Sequence, residues 1–356
     1  MFIYSMPIQS KTLKVRVKDK HASQLSQMAK SINFVWNFIN ELSYRSIKER
    51  DTFLSNYDMH PYTKGAGKEL GLHSQTLQCV SKEYVTRRRQ FKKARLSWRK
   101  SGGVRRSLGW IPVNTKHAQW KNGQVFHNGK YYGVWDSYGL SGYTFRSSSF
   151  NEDARGRWYF NVVVEVKAEQ STGTKAVGVD LGCKETATDS NGEGVVGREY
   201  RALEKKLGIA QRAKNKYRIK NIHAKIKNRR ADTLHKYSRK LVNENAAIFV
   251  GNVNSLGLIK TKLAKSVLDA GWGILKTQLK YKSAHAGCVF EVVNEAYTTV
   301  TCSCCKKRTG PSGQEGLRIR EWTCSGCGTT HDRDTNSAKL ILAVGLDRLS
   351  GEKVPT

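Results

Sequence analysis

The sequence predicts two structural units: an N-terminal unit of mixed α+β structure and a C-terminal α/β unit with parallel strands flanked by helices. Over roughly the first 170 residues, short strand patterns and two long helical patterns follow one another without a regular order. A small, polar segment at Gln170–Thr174 is typical of a linker between domains. After it, the order is strand, strand, basic helix, strand, helix, strand and final helix. In such a sheet, catalytic groups gather at the carboxyl ends of the central strands.

Four segments define the N-terminal unit. Polar and apolar residues alternate over Thr12–Val17, which indicates a strand, and apolar residues at helical spacing predict a helix over Ala22–Lys48. A second and strongly basic helix is predicted over Ser74–Lys100. From Trp110 to Lys167 the pattern indicates short strands with Gly and Asn turns, and Trp158–Val166 is the clearest of them.

In the C-terminal unit, residues 199–240 predict either one long basic helix or a hairpin of two helices. One apolar helical face is predicted from Leu268, Trp272, Leu275 and Leu279. An amphipathic helix over Asp334–Leu346 ends the pattern. The predicted strands are Ala176–Val179, Thr186–Asp189, Ala247–Val250 and Val289–Val293.

The charge of the chain predicts a polyanionic partner. The 62 Lys and Arg residues exceed the 29 Asp and Glu residues by 33, and aromatic residues lie among the basic ones, which favours nucleic acid over an anionic membrane surface. Residues 199–240 hold 15 Lys/Arg and 3 Asp/Glu, whereas an ordinary solvated face mixes both signs. The candidate nucleic-acid-binding residues are Lys225, Lys227, Arg229, Arg230, His235, Lys236, Arg239, Arg87, Arg88 and Arg89.

Apolar stretches in the chain are far shorter than the roughly 18 residues of a membrane span. The first ten residues lack the charged and apolar regions of a secretory signal. The sequence therefore predicts a cytoplasmic protein with no membrane partner. The oligomeric state stays open, with a monomer favoured.

A zinc ribbon is predicted from the cysteine spacing. Cys302-x2-Cys305 and Cys324-x2-Cys327 are separated by 18 residues, which is typical of a four-thiolate zinc site. Four thiolates leave no open coordination position, so the zinc would be structural. Cys304 does not keep the two-residue gap, and His331 is a candidate substitute or outer-shell donor. The alternative is a set of unpaired thiols.

Two aspartates are candidate ligands for Mg²⁺. Asp180 directly follows the strand Ala176–Val179, and Asp334 opens the last helix. Each has a simpler explanation, since Asp is common in turns and as a helix N-cap. Brought together at one edge of a sheet, however, the two carboxylates would suit Mg²⁺ and phosphodiester hydrolysis. Spacing alone leaves these alternatives open.

These motifs together resemble those of the TnpB (OrfB) family of transposon-encoded RNA-guided nucleases, which is related to the type V CRISPR effectors. The resemblance rests on Gly178-Val-Asp-Leu-Gly, the paired Cys-x2-Cys knuckles and Asp332-Arg-Asp-Thr-Asn-Ser-Ala. The basic segment Asn221–Val242 and Leu279-Lys-Tyr-Lys282 also resemble the family. The likeness is strong over residues 174–342 and weaker in the N-terminal half.

The resemblance implies an RNase H-like (RuvC-type) nuclease domain with an inserted zinc ribbon, and an N-terminal β-barrel-like wedge with a helical recognition insert. It implies a prokaryotic, nucleoid-associated protein whose partners are a guide noncoding RNA from the transposon end and double-stranded target DNA with an adjacent short motif. The implied domains are 1–170 (wedge and recognition region), 171–299 and 330–347 (nuclease), 300–329 (zinc ribbon) and 348–356 (tail).

The resemblance also implies three Mg²⁺-binding acids: Asp180, a glutamate directly after the strand Ile248–Val250, and Asp334. Gly251 stands where the glutamate would be. One hypothesis is a nuclease-dead relative that acts by RNA-guided DNA binding. The other is that Glu295 supplies the missing carboxylate, because it follows a strand expected to lie parallel to Ile248–Val250, about 4.8 Å away. A zinc-ribbon RNA-binding protein without a guide is a third hypothesis.

Overall fold

The computed structural model describes residues 8–168, 170–316 and 318–351, and the chain divides into two compact units, Met1–Lys167 and Ala168–Thr356. Part of the predicted tail, residues 352–356, lies outside the described residues. In the first unit, a strand precedes four helices, and seven further strands follow. These elements are β1 (Ile8–Val17), α1 (Ala22–Arg50), α2 (His60–Thr63), α3 (Ala66–Leu70), α4 (Ser74–Phe91), β2 (Trp110–Val113), β3 (Ala118–Lys121), β4 (Gln124–His127), β5 (Lys130–Tyr132), β6 (Val134–Trp135), β7 (Phe145–Glu152) and β8 (Trp158–Lys167).

An antiparallel sheet with the strand order β2-β7-β8-β1-β6 forms the centre of the first unit. Alternate residues of its strands point into one core, as in Trp158, Phe160, Val162 and Val164 of β8, which are all buried. The strand predicted over Trp158–Val166 is therefore confirmed. Strands β3, β4 and β5 form a separate antiparallel meander.

Helix α4 ends earlier than predicted. The expected helix over Ser74–Lys100 stops at Phe91, because Lys92 adopts a left-handed conformation with φ of 50° and caps the helix. From Lys92 to Gly109 the chain has no regular secondary structure. This segment carries much of the predicted basic run.

The second unit contains these elements: β9 (Lys175–Asp180), β10 (Ala187–Asp189), β11 (Gly194–Val195), α5 (Glu199–Arg212), α6 (Lys216–Glu244), β12 (Asn245–Gly251), α7 (Ser255–Leu258), α8 (Ala264–Ala270), α9 (Trp272–Ala286), β13 (Val289–Val293), α10 (Gly313–Gly316), β14 (Glu321–Thr323), β15 (Thr330–Asp332) and α11 (Arg333–Ser350).

Its main sheet has the strand order β11-β10-β9-β12-β13. Strand β10 is antiparallel to both of its neighbours, whereas β9, β12 and β13 are parallel to one another. The carboxyl ends of β9, β12 and β13 therefore meet at one edge of the sheet. Helices α6 and α9 pack on one face with a shared apolar core, and α11 packs on the other face. Gly178 allows that close packing, since a Cβ there would overlap the Ala338 carbonyl oxygen of α11.

Three predictions for this unit need revision or refinement. The basic segment forms the predicted helical hairpin, with Lys214 in a left-handed conformation at the turn. The single apolar face expected from Leu268 to Leu279 is wrong, because Gly271 separates α8 from α9 and the Leu268 side chain is 63 % exposed. The last helix continues to Ser350, beyond its predicted end.

Candidate active site and thiolate cluster

The three predicted acidic residues are carried by segments that converge at the carboxyl edge of the main sheet. Asp180 is the last residue of β9, and Asp334 lies in the first turn of α11. Gly251 ends β12 and pairs in register with Val293, the last residue of β13, so Glu295 follows two residues beyond that pair. The predicted parallel pairing of β12 and β13 is confirmed.

The Glu295 carboxylate fills the space beside Gly251. A Cβ placed on Gly251 would overlap Oε2 of Glu295 and would lie 3.2 Å from Cδ1 of Ile341. The Glu295 backbone N–H donates to Oδ1 of Asn252 at 3.3 Å, which ties the segment after β13 to the end of β12. The carboxylate of Glu295 therefore reaches the position at which a side chain on residue 251 would start.

The three carboxylates all have raised pKa values. Desolvation and the nearby charges of Asp334 and Glu295, partly offset by a hydrogen bond from Ser337, together raise the pKa of Asp180 to about 7. Desolvation also raises the pKa of Glu295 and of Asp334. A crowded set of carboxylates with raised pKa values is typical of a site that binds a cation or a proton.

Ser337 connects two of these acids, although sequence reasoning did not single it out. Its Oγ donates to Oδ1 of Asp180 at 2.8 Å and lies 2.8 Å from Oγ1 of Thr298. Thr298 in turn donates to the carbonyl oxygen of Glu295 at 2.8 Å. The signal was available, since Ser337 is three residues after Asp334 and thus on the same face of α11.

Arg320 is the second residue that sequence reasoning missed. Its Nη1 lies 2.5 Å from Oδ2 of Asp334 and forms an ion pair that lowers the pKa of that carboxyl against the effect of desolvation. The backbone N–H of Arg333 also donates to the Arg320 carbonyl oxygen at 2.7 Å. Arg320 directly precedes β14, whose partner β15 leads into α11, so the contact follows from the antiparallel pairing of these two strands.

The four predicted cysteines lie together in a second cluster. The Sγ atoms of Cys302, Cys305, Cys324 and Cys327 are all within 4.8 Å of one another. Cys302 and Cys327 are 3.7 Å apart, and Cys305 and Cys324 are 3.6 Å apart. A tetrahedral site with Zn–S distances of about 2.3 Å places its sulfurs about 3.8 Å apart. These separations therefore fit four thiolates around one zinc ion.

Neighbouring donors surround the thiolates. Thr309 Oγ1 and the Gly326 N–H donate to Cys324 Sγ at 3.0 and 3.3 Å, and both lower the pKa of that thiol. His331 is buried against Trp322, and its Nε2 lies 3.0 Å from Cys302 Sγ. That position suits an outer-shell partner of Cys302. Cys304 is exposed and lies outside the cluster.

The predicted nucleic-acid-binding residues divide into two groups. Arg88 is only 3 % exposed and donates to Ser43 Oγ and to the Leu54 carbonyl oxygen, so it ties α4 to other parts of the N-terminal core. Arg230 forms an ion pair with the buried Asp269 at 2.6 Å. We therefore correct the assignment of these two residues, whose guanidinium groups are occupied by the fold. The remaining candidates are exposed: Lys225, Lys227, Arg229, His235, Lys236, Arg239, Arg87 and Arg89.

Two segments of the chain match models of known protein families. Residues 159–262 match the OrfB family model, described as "Probable transposase", and residues 272–341 match the model "Cas12f1-like, TNB domain". The resemblance to the TnpB (OrfB) family is confirmed. The two matched segments together include the sheet edge and the cysteine cluster.

Two curated relatives and one solved structure extend this result. A "Putative RNA-guided DNA endonuclease" of Streptomyces pristinaespiralis is 34% identical over 55% of this chain and 52% of its own length. The "Putative RNA-guided DNA endonuclease InsQ" of Escherichia coli K12 is 30% identical over 53% and 54%, respectively. The chain spans about half the length of these relatives.

The fold resembles that of Cas12f1 in the cryo-EM structure of a Cas12f1–sgRNA–target DNA complex. The TM-score is 0.60 at 12% identity, with 94% of this chain and 98% of the other covered. Within the described residues, helices long and apolar enough to cross a membrane are absent.

Proposed function

We propose that this TnpB-like chain is an RNA-guided DNA endonuclease that hydrolyses phosphodiester bonds in target DNA. The observation that carries the proposal is the position of Glu295, whose carboxylate fills the space that Gly251 leaves free. A third acid thus joins Asp180 and Asp334 at the carboxyl edge of the sheet. The relatives named as RNA-guided DNA endonucleases support the same activity.

The proposed nuclease domain has an RNase H-like, RuvC-type fold. Its support is the strand order β11-β10-β9-β12-β13, in which the second strand along the chain is antiparallel to the other four. The domain comprises residues 171–299 and 330–347, with a zinc ribbon at 300–329. Residues 1–170 form the proposed wedge and helical recognition region.

Asp180, Glu295 and Asp334 would hold Mg²⁺, and oxygen ligands of this kind are the ones that Mg²⁺ prefers. When bound, Mg²⁺ supplies activation of the attacking water and neutralisation of charge on the phosphodiester. Ser337 fixes the orientation of the Asp180 carboxylate through its hydrogen bond to Oδ1. Arg320 holds the Asp334 carboxylate through an ion pair and places a positive charge beside the proposed Mg²⁺ site.

Zinc in the Cys302, Cys305, Cys324 and Cys327 cluster would be structural, since all four positions are taken by thiolates. The ribbon directly precedes α11, which carries Asp334. Zinc binding would therefore hold Arg320 and Asp334 in place, without taking part in the chemistry.

The proposed partners are a guide noncoding RNA from the transposon end and double-stranded target DNA with an adjacent short motif. Exposed cations of α6, such as Lys225, Lys227 and Arg239, would contact phosphates of the guide–target heteroduplex. The relevant compartment is the prokaryotic cytoplasm, at the nucleoid. The second candidate function, RNA-guided DNA binding without cleavage, is favoured by the absence of a carboxylate at Gly251.

Cleavage of target DNA by the purified RNA complex in Mg²⁺ tests the proposal. Wild type should cut, and Glu295→Gln should bind target with unchanged affinity but cut at least about 100-fold more slowly, because one anionic ligand becomes a neutral amide. Glu291→Gln is the matched control, since Glu291 is a glutamate in the middle of β13, four residues before Glu295.

Each outcome decides between the two candidates. Cleavage by wild type and Glu291→Gln, with loss in Glu295→Gln, supports a nuclease whose glutamate comes from the strand next to its usual one. If wild type binds target DNA but does not cut it, the proposed nuclease activity is contradicted, and RNA-guided DNA binding without cleavage is supported. Equal cleavage by all three proteins would show that Glu295 is not a residue of the active site.

A further inference from the structure

We propose that a cavity in the N-terminal unit binds an unpaired nucleotide of RNA, with its base stacked on Trp98. The cavity has a volume of about 750 Å³, which is in the usual range for small-molecule pockets. Its lining combines aromatic rings, cations, a few neutral polar groups and one acid, Glu83, which forms an ion pair with Arg87. Residues of the lining include Phe91, Lys93, Trp98, Arg99, Trp110 and Asn151.

A row of asparagines on α1 holds the segment that carries Trp98. Asn40 pairs with the backbone of Leu96, donating to its carbonyl oxygen at 2.8 Å and accepting from its N–H at 3.0 Å. Asn37 pairs in the same way with the backbone of Arg99, at 2.9 and 2.8 Å. Both backbone groups of each residue are thereby fixed to the helix. Trp98 lies between these two anchors, so its backbone is held in place before any ligand binds.

Trp98 is an unusually placed aromatic ring. Its side chain is 50 % exposed, although the flanking Leu96 is buried, and Phe91 on the same cavity wall is 55 % exposed. Large exposed rings beside a cavity are typical platforms for nucleobases, which stack on them whatever their sequence. The Arg95 guanidinium lies over the Trp98 ring, 5.5 Å from its centroid. The ring thus already makes a cation–π contact of the kind that accompanies base stacking in nucleic-acid-binding proteins.

The floor of the cavity is also preorganised. Arg99 lies 5.8 Å from the ring centroid of Trp36 and 5.7 Å from that of Trp110. Its Nε and Nη2 donate to Asn33 Oδ1 and to the Leu108 carbonyl oxygen. The guanidinium is thereby fixed beside both rings, whose centroids are 6.4 Å apart.

Charge around the cavity favours an anionic ligand. Residues 87–106 contain ten Lys and Arg residues and no Asp or Glu. Three of the ten pair with acids from other segments: Arg87 with Glu83, Arg95 with Glu41, and Arg106 with Glu152. Lys93 is exposed on the cavity wall, and the neighbouring Lys92 and Lys100 are exposed as well. These cations would neutralise the phosphates on either side of the bound base.

The choice of RNA rests on the proposed RNA-guided function, whereas the base-binding character of the cavity does not. Proteins that recognise RNA sequence usually bind unpaired bases, because a loop or bulge can present a base for stacking on an aromatic side chain. Asn151 supplies a polar group for the ribose or base edge: its Oδ1 accepts from Asn161 Nδ2 and from Ser149 Oγ, and among the described residues its Nδ2 has no acceptor. A duplex would keep its bases out of such a cavity.

Binding of a labelled ten-nucleotide single-stranded RNA to the full chain, without added Mg²⁺, tests the proposal. Trp98→Ala should weaken binding by roughly 5- to 150-fold, the range that stacking of a base on an aromatic ring contributes. The slope of binding against salt should stay unchanged, because no charge is lost. Trp98→Phe should stay within about twofold of wild type, since a ring is kept.

Trp135→Ala is the matched control, because Trp135 is also exposed and also lies near a cation, Lys18, but is not part of the cavity. With 5-bromouridine in the RNA, photocrosslinks should map to residues 87–99 and should vanish in Trp98→Ala but persist in Trp135→Ala. Equal affinities of the two alanine variants, or crosslinks confined to other segments, would overturn the pocket.

A single-stranded DNA of the same sequence distinguishes the occupants. A smaller effect of Trp98→Ala on DNA than on RNA supports RNA, and an equal effect overturns the choice of RNA. The result is independent of the cleavage test, since the nuclease can fail through Glu295 while the cavity still binds RNA. Melting temperatures of Trp98→Ala and Trp98→Phe report any loss of fold.

Discussion

Adding one methyl group at Gly251 is expected to slow DNA cleavage strongly while leaving the fold intact. The new Cβ would overlap Oε2 of Glu295, so the carboxylate has to move by roughly 1 Å or more, and displacements of about that size can cost 10²-fold in rate. The Cδ1 atom of Ile341, 3.2 Å from the new Cβ, limits retreat of the main chain in the other direction. We therefore expect Gly251→Ala to cut target DNA on the order of 100-fold more slowly.

The assay compares Gly251→Ala with Gly273→Ala, using cleavage rate, target affinity and melting temperature. Gly273 lies in α9 with open space where a Cβ would lie, and neither glycine has a left-handed backbone. The control should thus keep wild-type cleavage, and its stability should rise slightly, as Gly→Ala does in helices. Wild-type cleavage by Gly251→Ala would refute the assignment of the Glu295 carboxylate to this position.

Three further predictions concern the cysteine cluster, a buried lysine and a buried arginine. Cys324→Ser should lose zinc and lower the melting temperature, whereas Cys304→Ser should keep both, because Cys304 lies outside the cluster; equal zinc content in the two proteins would contradict the four-thiolate site. Burial lowers the pKa of Lys282 to about 8, and its Nζ donates to the His235 carbonyl oxygen and to Ser238 Oγ. Between pH 8 and 10.5, the usual pKa of a lysine, Lys282 is protonated in the unfolded chain but largely neutral in the folded one. The free energy of unfolding of wild type, measured by denaturant titration relative to Lys282→Met, should therefore rise with pH over this range. A difference that does not change with pH would contradict the lowered pKa. Arg88→Gln should destabilise the chain by about 1–3 kcal/mol, since Ser43 and the Leu54 carbonyl lose a donor, and the exposed Arg89→Gln should stay within about 0.5 kcal/mol in the same titrations. Comparable losses in both would mean that Arg88 has no special role in the core.

The sequence predicted those parts of the structure that depend on local pattern. Alternation identified the Trp158–Val166 strand, and the two Cys-x2-Cys pairs identified the thiolate cluster. The order of the elements indicated parallel strands, and the resemblance to RNase H-like nucleases implied that β13 lies beside β12, which led to Glu295. The strand and the thiolate cluster are set by residues close in sequence, whereas the neighbouring position of β13 came from the resemblance.

Features that depend on contacts between distant segments escaped prediction. Nothing in Arg87-Arg88-Arg89 distinguishes the middle residue, and only the packing of α4 against α1 decides that Arg88 is buried. The end of α4 at Phe91 has no Gly or Pro to mark it, and asparagines far away on α1 hold the segment that follows. The pair between Arg320 and Asp334 likewise depends on how the ribbon strands fold back.

Gly251 and Glu295 form one feature of the site, since the missing side chain at residue 251 leaves the space that the Glu295 carboxylate occupies. Parallel neighbouring strands end at the same edge, so a carboxylate beyond β13 can reach the end of β12 with a shift of only about one strand spacing. The reach requires that residue 251 has no side chain, because a Cβ there would occupy the same space as Oε2 of Glu295. Glycine at the position of an expected glutamate is therefore the residue that the alternative carboxylate needs. Substitutions at the two positions should accordingly be coupled rather than additive, as expected for side chains that compete for one volume.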